Sequence, residues 1–178
     1  GMSMGGMISQ IAAARYPDRI LSLTSIMSTS GVRGVGTAST KVILQMLKPR
    51  SKSQTALDIA VETWQMIGSP AYSQSDDEIR AVVVAEHKRS SNPAGYRRQM
   101  AAISAAPNRV ALLKSIKAPV LIIHGLQDCH VPVSGGIDTA KHIRHARLEL
   151  FDGMGHTLPE PLLSRFCDLI IENMAQAH

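Results

Sequence analysis

The sequence predicts an α/β fold: a short, mostly parallel sheet of about three strands, flanked by helices and interrupted by a helical insertion. Three observations carry that expectation. Short apolar runs bounded by Pro and Gly alternate with helix-period segments at both ends of the chain. Residues 40–105, between the first run and the second, keep helical spacing. A Gly-x-Ser-x-Gly pattern occupies residues 1–5, and two of the runs lead directly into loops that carry Asp128 and His156.

Gly1-Met2-Ser3-Met4-Gly5-Gly6 reads as a sharp strand-to-helix turn with the serine at its apex. The flanking glycines are expected where any side chain would clash with the neighbouring strand or helix. Residues 4–16, rich in Ala and Ile and stopped by Pro17, suit the helix that follows such a turn. Residues 20–27 alternate Leu, Ser, Leu, Thr and Ile, which predicts the next strand. Residues 30–36, with three glycines, read as a hinge-like loop. Segments 40–47, 54–67, 76–89 and 96–105 then place apolar residues three and four apart, predicting consecutive helices. Asp76, Asp77 and Glu78 open the third of these and Lys88 and Arg89 close it, complementing the helix dipole. Residues 110–116 form a short helix ahead of Pro119-Val120-Leu121-Ile122-Ile123-His124-Gly125, a run suited to a buried parallel strand. A crossover helix at 134–145, a strand at 147–151 and an amphipathic helix at 161–175 complete the chain, with no internal repeat.

The candidate chemistry lies in three residues. Asp128 falls just past one strand and His156 in the loop beyond the next, so Ser3, Asp128 and His156 follow one another in the order Ser, Asp, His. A serine hydroxyl is a poor nucleophile at neutral pH and needs a base within hydrogen-bond reach; histidine titrates in the right range to take and return that proton. An aspartate fixes the imidazole tautomer and stabilises the imidazolium. The amide of Met4, next after the serine, would face a developing oxyanion at a helix N-terminus.

Residues 1–6, 119–132 and 148–159, the last with its Gly153-Met154-Gly155-His156 loop, together resemble the α/β-hydrolase family. The resemblance is nearest to its carboxylesterase-like members, strong at those motifs and weak between residues 30 and 90. It implies an incomplete α/β-hydrolase fold in three parts. Residues 1–29 and 107–178 belong to the hydrolase core, and 30–106 form a helical cap. It implies carboxylic ester hydrolysis through an acyl-enzyme, with Ser3, Asp128 and His156 catalytic, the Met4 amide as one oxyanion donor, and no cofactor or metal. In the family a second oxyanion donor comes from a loop ahead of the elbow, for which the sequence offers no counterpart; one missing donor costs on the order of a hundredfold or more in rate. At 178 residues the chain is also shorter than the roughly 200 residues or more of such domains. It therefore reads as a C-terminal portion that starts at the elbow. The resemblance implies that the strand at residues 20–27 pairs with the elbow segment on its other side; without the strands beyond, an open edge would follow, and with it a homodimer or higher homo-oligomer joined through that edge or through rearranged cap helices. The alternative is a catalytically inactive fragment that folds by self-association. The triad alone leaves cofactor-free haloperoxidase, acyl-transfer and C–C cleavage chemistry open, whereas the serine excludes an aspartate-nucleophile dehalogenase.

Other residues compete for these roles. Asp138 and Asp152 are rival carboxylates, and His124 at a strand end reads as structural or pocket-lining. His142 and His145 stand three apart on the predicted crossover helix without a third ligand, as on a solvated face. Cys129 has no Cys-x-x-Cys partner and suits packing, and the methionines and Trp64 of residues 30–106 suit the core of the cap. The charge balance, 19 Lys and Arg against 14 Asp and Glu, gives a formal +5, but the basic residues are dispersed and aromatics are only 3%. That pattern argues against nucleic-acid binding. Two cysteines make no disulfide framework and no apolar run reaches membrane-spanning length, so a cytoplasmic protein acting on a small ester or acyl substrate is expected.

Overall fold

Val120–Gly125 (β2) carries four consecutive aliphatic residues and is buried along its whole length, as befits a central parallel strand. In the computed structural model, which describes residues 1–47, 54–90 and 92–177, it lies between Leu23–Ile26 (β1) and Arg147–Phe151 (β3). All three run parallel in the order β1-β2-β3, with Ile26 level with Ile123 and Gly125 level with Phe151. On the outer side of β1, Met2 forms a parallel bridge with Ile26, and the Ser3 amide donates to the Ile26 carbonyl at 2.8 Å. The expected pairing of β1 with the turn segment is therefore present. The helices in chain order are α1 (Met4–Arg15), α2 (Thr40–Leu47), α3 (Ala56–Ile67), α4 (Asp76–Arg89), α5 (Pro93–Ala105), α6 (Val110–Ser115), α7 (Ser134–His142) and α8 (Leu163–Met174).

The two-residue period of β2 divides the core between two layers. Val120 and Ile122 pack with Ala13 of α1, Leu23, Leu113 of α6 and Ile143, while Leu121 and Ile123 pack with Met27, Met154 and the Phe166 and Leu169 of α8. Each of the Val, Leu, Ile, Met and Phe side chains among them contributes about 1.5–3 kcal/mol by leaving water. The edge strand β3 is protected by charge: Arg147 donates to Glu149 at 2.7 Å and to Glu172 of α8 at 2.6 Å.

Between β1 and β2, α3 and α4 each begin with a capping box, Thr55 with Asp58 and Ser75 with Glu78. The Ser75 amide and hydroxyl hold the Glu78 carboxyl below its ordinary range. α4 spans the expected residues, with three acids in its first turn and His87, Lys88 and Arg89 in its last. α5 starts earlier than expected because Pro93 occupies the first turn, where its missing N–H costs nothing. The pair α3–α4 closes on Val61, Ile79 and Val83 with Leu57, Ala60 and Trp64. Met66 and Met100, expected in that core, are not members of the cluster: Met66 sits at the end of α3, where its carbonyl meets the Cys129 thiol at 3.4 Å. The Met46 side chain lies outside the described residues.

The crossover helix also differs from expectation. α7 stops at His142 because Ile143 turns extended (φ −118°) and buries its side chain against the first layer. His145 is thus not on the helix, and its ring nitrogen faces the Ala118 carbonyl at 2.8 Å instead. The last segment opens with a 3₁₀ turn at Glu160–Leu162 before α8 begins. No helix among the described residues is long and apolar enough to cross a membrane.

Arg109 joins these parts from within. Only 3% exposed, it donates through Nε to Gln10 Oε1 of α1 at 3.0 Å and through Nη2 to the Thr29 carbonyl at 2.6 Å. Its own amide donates to the Ser30 carbonyl at 2.8 Å, and Gln10 donates onward to Ser25 of β1 at 3.2 Å. Burial lowers the guanidinium pKa, and the Gln10 and Thr29 oxygens that receive it are neutral. Arg109→Met strands the Gln10 and Thr29 oxygens. It is expected to destabilise the chain by about 2–4 kcal/mol in denaturant unfolding.

Candidate active site

Parallel strands bring their carboxyl ends to one rim, and the loops leaving that rim carry the candidate side chains. Ser3 stands at the junction of the turn segment and α1 with φ 52° and ψ −121°, a conformation that costs a non-glycine residue about 1–3 kcal/mol. It is held there from both sides: its amide donates to Ile26, and its carbonyl accepts from the Ser28 hydroxyl at 2.9 Å and the Met7 amide at 3.2 Å. Ser28 has no signature in the sequence, because its partner is 25 positions away.

The glycines around Ser3 do not divide the work as expected. A Cβ on Gly1 would run into the Gly5 carbonyl, as anticipated, but a Cβ on Gly5 would meet nothing within 4 Å. The close approach belongs to Gly6, whose Cβ would stand 2.7 Å from that of Ser28 and 3.0 Å from Ser25 Oγ. The reason is helical geometry: Gly6 is on the face of α1 that packs on β1, and Gly5 points away.

His156 meets both other candidates. Its Nδ1 lies 2.7 Å from Asp128 Oδ2 and its Nε2 3.1 Å from Ser3 Oγ. Since Nδ1 faces a carboxylate, the ring proton sits on Nδ1 and the Nε2 lone pair is left to accept the serine proton. Asp128 Oδ1 accepts the amides of His130 at 2.9 Å and Val131 at 2.8 Å. His124, fully buried, places Nε2 2.7 Å from the Val131 carbonyl and 3.5 Å from Asp128 Oδ2. Burial pushes the Asp128 carboxyl up. The His124 and His156 donors, the electrostatic influence of the His156 ring and the Val131 amide outweigh it and hold the group at about 2.

His130 was not singled out by the sequence. Its ring stands edge-on to His156 with centroids 4.7 Å apart. Burial first, and then the neighbouring His156, lower its pKa, with Asp128 opposing. The rival carboxylates are engaged elsewhere: Asp138 with Ser30 and His142, Asp152 with Gln127 at 2.9 Å. Cys129 packs against the end of α3. The Met4 amide opens α1, whose first N–H groups have no carbonyl one turn earlier. Chemically, the arrangement can deprotonate a hydroxyl and stabilise the cation that results.

The His156 loop is fastened both to the segment leaving β2, whose Gln127 amide donates to the Met154 carbonyl at 3.0 Å, and to the end of α3 and the residues after it. The His156 amide donates to the Ile67 carbonyl at 2.7 Å, and the Ser69 hydroxyl accepts the Gly155 amide at 2.9 Å and bonds Thr157 Oγ1 at 2.7 Å. A Cβ on Gly155 would collide with the Gly68 carbonyl.

Two outcomes follow from this geometry. Gly5→Ala is expected to leave stability unchanged or raise it by up to about 1 kcal/mol through helix propensity, while Gly6→Ala lowers the thermal midpoint; equal midpoints would contradict the packing described. Asp128 is depressed below its ordinary 3.8 in the folded chain, so its contribution is complete above about pH 4 and lost as pH falls through about 2. Urea titrations across that window should show a loss of about 2 kcal/mol that Asp128→Asn abolishes.

Comparison with known proteins gives this arrangement its context. The family model described as alpha/beta hydrolase fold matches residues 1–160. Among curated proteins the chain is similar to monoacylglycerol lipase ABHD6 of Bos taurus, 25% identical over 100% of this chain and 54% of that protein. It is also similar to rhodomycin D methylesterase DauP of Streptomyces sp. (strain C5), 26% identical over 94% of this chain and 64% of that protein. The chain thus spans between half and two thirds of the length of these relatives. Among solved structures, the esterase RhEst1 from Rhodococcus sp. superposes with a TM-score of 0.73 at 19% identity, covering 100% of this chain and 64% of that one. A family match over most of the chain and a shared fold agree, and the chain belongs to the alpha/beta hydrolase fold family.

Proposed function

We propose that the chain carries the nucleophile, base and acid of a serine hydrolase that cleaves small carboxylic esters through an acyl-enzyme. Ser3 Oγ attacks the ester carbonyl as its proton passes to His156 Nε2. Asp128 holds the ring by Nδ1 and stabilises the imidazolium. The Met4 amide, with the N-terminal end of α1 behind it, donates to the oxyanion. Collapse expels the alcohol, which takes the proton back from His156 Nε2; a water activated by the same nitrogen then releases the acid and regenerates Ser3. The observation that carries this reading is the bridging position of His156, 3.1 Å from Ser3 Oγ and 2.7 Å from Asp128 Oδ2. The ester class is supported by the relatives, a monoacylglycerol lipase and a methylesterase by name. Residues 30–106 act in this reading as a cap over the rim that selects the acyl or alcohol group.

A fluorophosphonate probe tests the assignment directly. Stoichiometric labelling of the wild-type chain that disappears in Ser3→Ala is expected; labelling that survives the substitution, or a folded wild-type chain that stays unlabelled, overturns it.

A second reading concerns assembly. Met2, Ile8, Tyr16 and Leu21 are exposed on α1 and the segments flanking it, and large apolar side chains exposed together favour self-association. Light scattering behind size exclusion should return a dimer or higher oligomer, and a stable monomer refutes this reading.

A further inference from the structure

We propose that Ser69 is a positioning residue for His156: its hydroxyl grips the backbone and side chain on either side of the histidine and so transmits the placement of α3 to the imidazole. The proposal rests on the assignment of His156 as the base of a serine hydrolase, and it adds a residue that neither the motifs nor the sequence pattern mark.

Ser69 occupies a position that ordinarily caps. It precedes the 3₁₀ turn Pro70–Tyr72, where a serine side chain usually accepts a backbone N–H of the following turn. Here it makes no such bond. The hydroxyl crosses instead to a segment some 86–88 positions later, accepting from Gly155 N at 2.9 Å and pairing with Thr157 Oγ1 at 2.7 Å. The two partners are the residues immediately before and after His156. The side chain is 6% exposed as part of its residue, and Thr157 is 7% exposed, so water does not readily replace either bond. The His156 amide itself is taken by Ile67 O at 2.7 Å, two residues before Ser69, and Ala71 N reaches back to Gly153 O at 3.1 Å. Four consecutive contacts thus run between residues 67–71 and 153–157, with Ser69 at their centre.

The loop needs this support. Gly153 has a positive φ of 72° and Gly155 lacks a side chain, so the approach to His156 has little stiffness of its own. The serine-to-histidine bond is 3.1 Å, near the limit at which a small rotation of the ring weakens it. Removing the hydroxyl frees both neighbours of His156 without altering the side chains of Ser3, His156 or Asp128 themselves. The effect then falls on the rate of proton transfer and not on substrate binding.

The experiment compares Ser69→Ala, Thr157→Val and Thr157→Ser in the full chain. Three readouts are taken: ester hydrolysis, the rate of fluorophosphonate labelling at Ser3, and the downfield NMR resonance of the His156 Nδ1 proton bonded to Asp128. Ser69→Ala is expected to lower kcat and the labelling rate about tenfold, within the range seen for slight misplacement of reacting groups, with KM unchanged. The downfield resonance broadens or vanishes. Thr157→Val, which keeps the shape but loses one of the two bonds, shows a smaller fall of the same kind, and Thr157→Ser restores wild-type values. Unchanged labelling together with an unchanged resonance in Ser69→Ala overturns the proposal, as does a loss confined to KM. Should Ser69→Ala not fold, the contrast between Thr157→Val and Thr157→Ser decides in the same terms. A wild-type chain silent to the probe defeats the serine hydrolase assignment alone; the resonance still distinguishes whether Ser69 sets the histidine.

Discussion

A buried carboxylate has to be surrounded by donors or give up its charge, and Asp128 is the place where this chain meets that requirement. Its two oxygens receive the amides of His130 and Val131, Nδ1–H of His156, and the approach of His124 Nε2. Those donors come from three sources: the end of β2, the loop that carries Asp128 itself, and the loop beyond β3. The amide bonds fold the Asp128 loop into a turn closed by its own side chain. The turn shape, the charge and the His156 tautomer are therefore consequences of one group, and loosening any donor affects all three.

The serine is held on a different principle. Among the described residues two that are not glycine have positive φ, Ser3 at 52° and Met27 at 48°, and they stand at the ends of adjacent parallel segments. Each is tied into the next strand by its amide, Ser3 to Ile26 and Met27 to Ile123. The Met27 side chain is fully buried among Leu121, Ile123, Met154 and Phe166, and that burial offsets the strain. The Ser28 hydroxyl then reaches back to the Ser3 carbonyl. The exposed turn at Ser3 is thus braced by the end of β1, and strain at the site is balanced by packing below it.

How much of this was legible in the sequence depends on the range of the interaction involved. Val120 to Ile123 announces a buried strand, Ser75 with Glu78 announces a helix start, and the order of Ser3, Asp128 and His156 along the chain suffices to nominate them together. All of these are local patterns or a simple order. Arg109 with Gln10, Ser28 with Ser3, and Ser69 with Thr157 are pairs between distant segments, and nothing near any one of them in sequence betrays its partner. Gly6 shows the same limit in miniature: the motif spacing favours Gly5, but which glycine meets β1 is set by how α1 lies on the sheet. His145 fails for a competing reason, since burying Ile143 against the core outweighs one more turn of helix.

The seam between α3 and the rim is where helix physics and the proposed chemistry meet. The last carbonyls of an α-helix have no intrahelical donor and need one from elsewhere. In α3 the Met66 carbonyl takes the Cys129 thiol and the Ile67 carbonyl takes the His156 amide, so the loops of Asp128 and His156 supply what the helix end lacks. The dependence is mutual, because those loops gain fixed acceptors in addition to the Gly125 carbonyl of β2 and the Phe151 carbonyl of β3. There is an electrostatic corollary. The carboxyl end of a helix carries partial negative charge, and here it lies against the backbone of the residue whose ring becomes cationic in the proposed mechanism. The orientation of α3 thus has the sign that favours the imidazolium, in addition to Asp128. The end of α3, inserted between β1 and β2, accordingly bears on the proposed base, and a shift of α3 would be felt at His156.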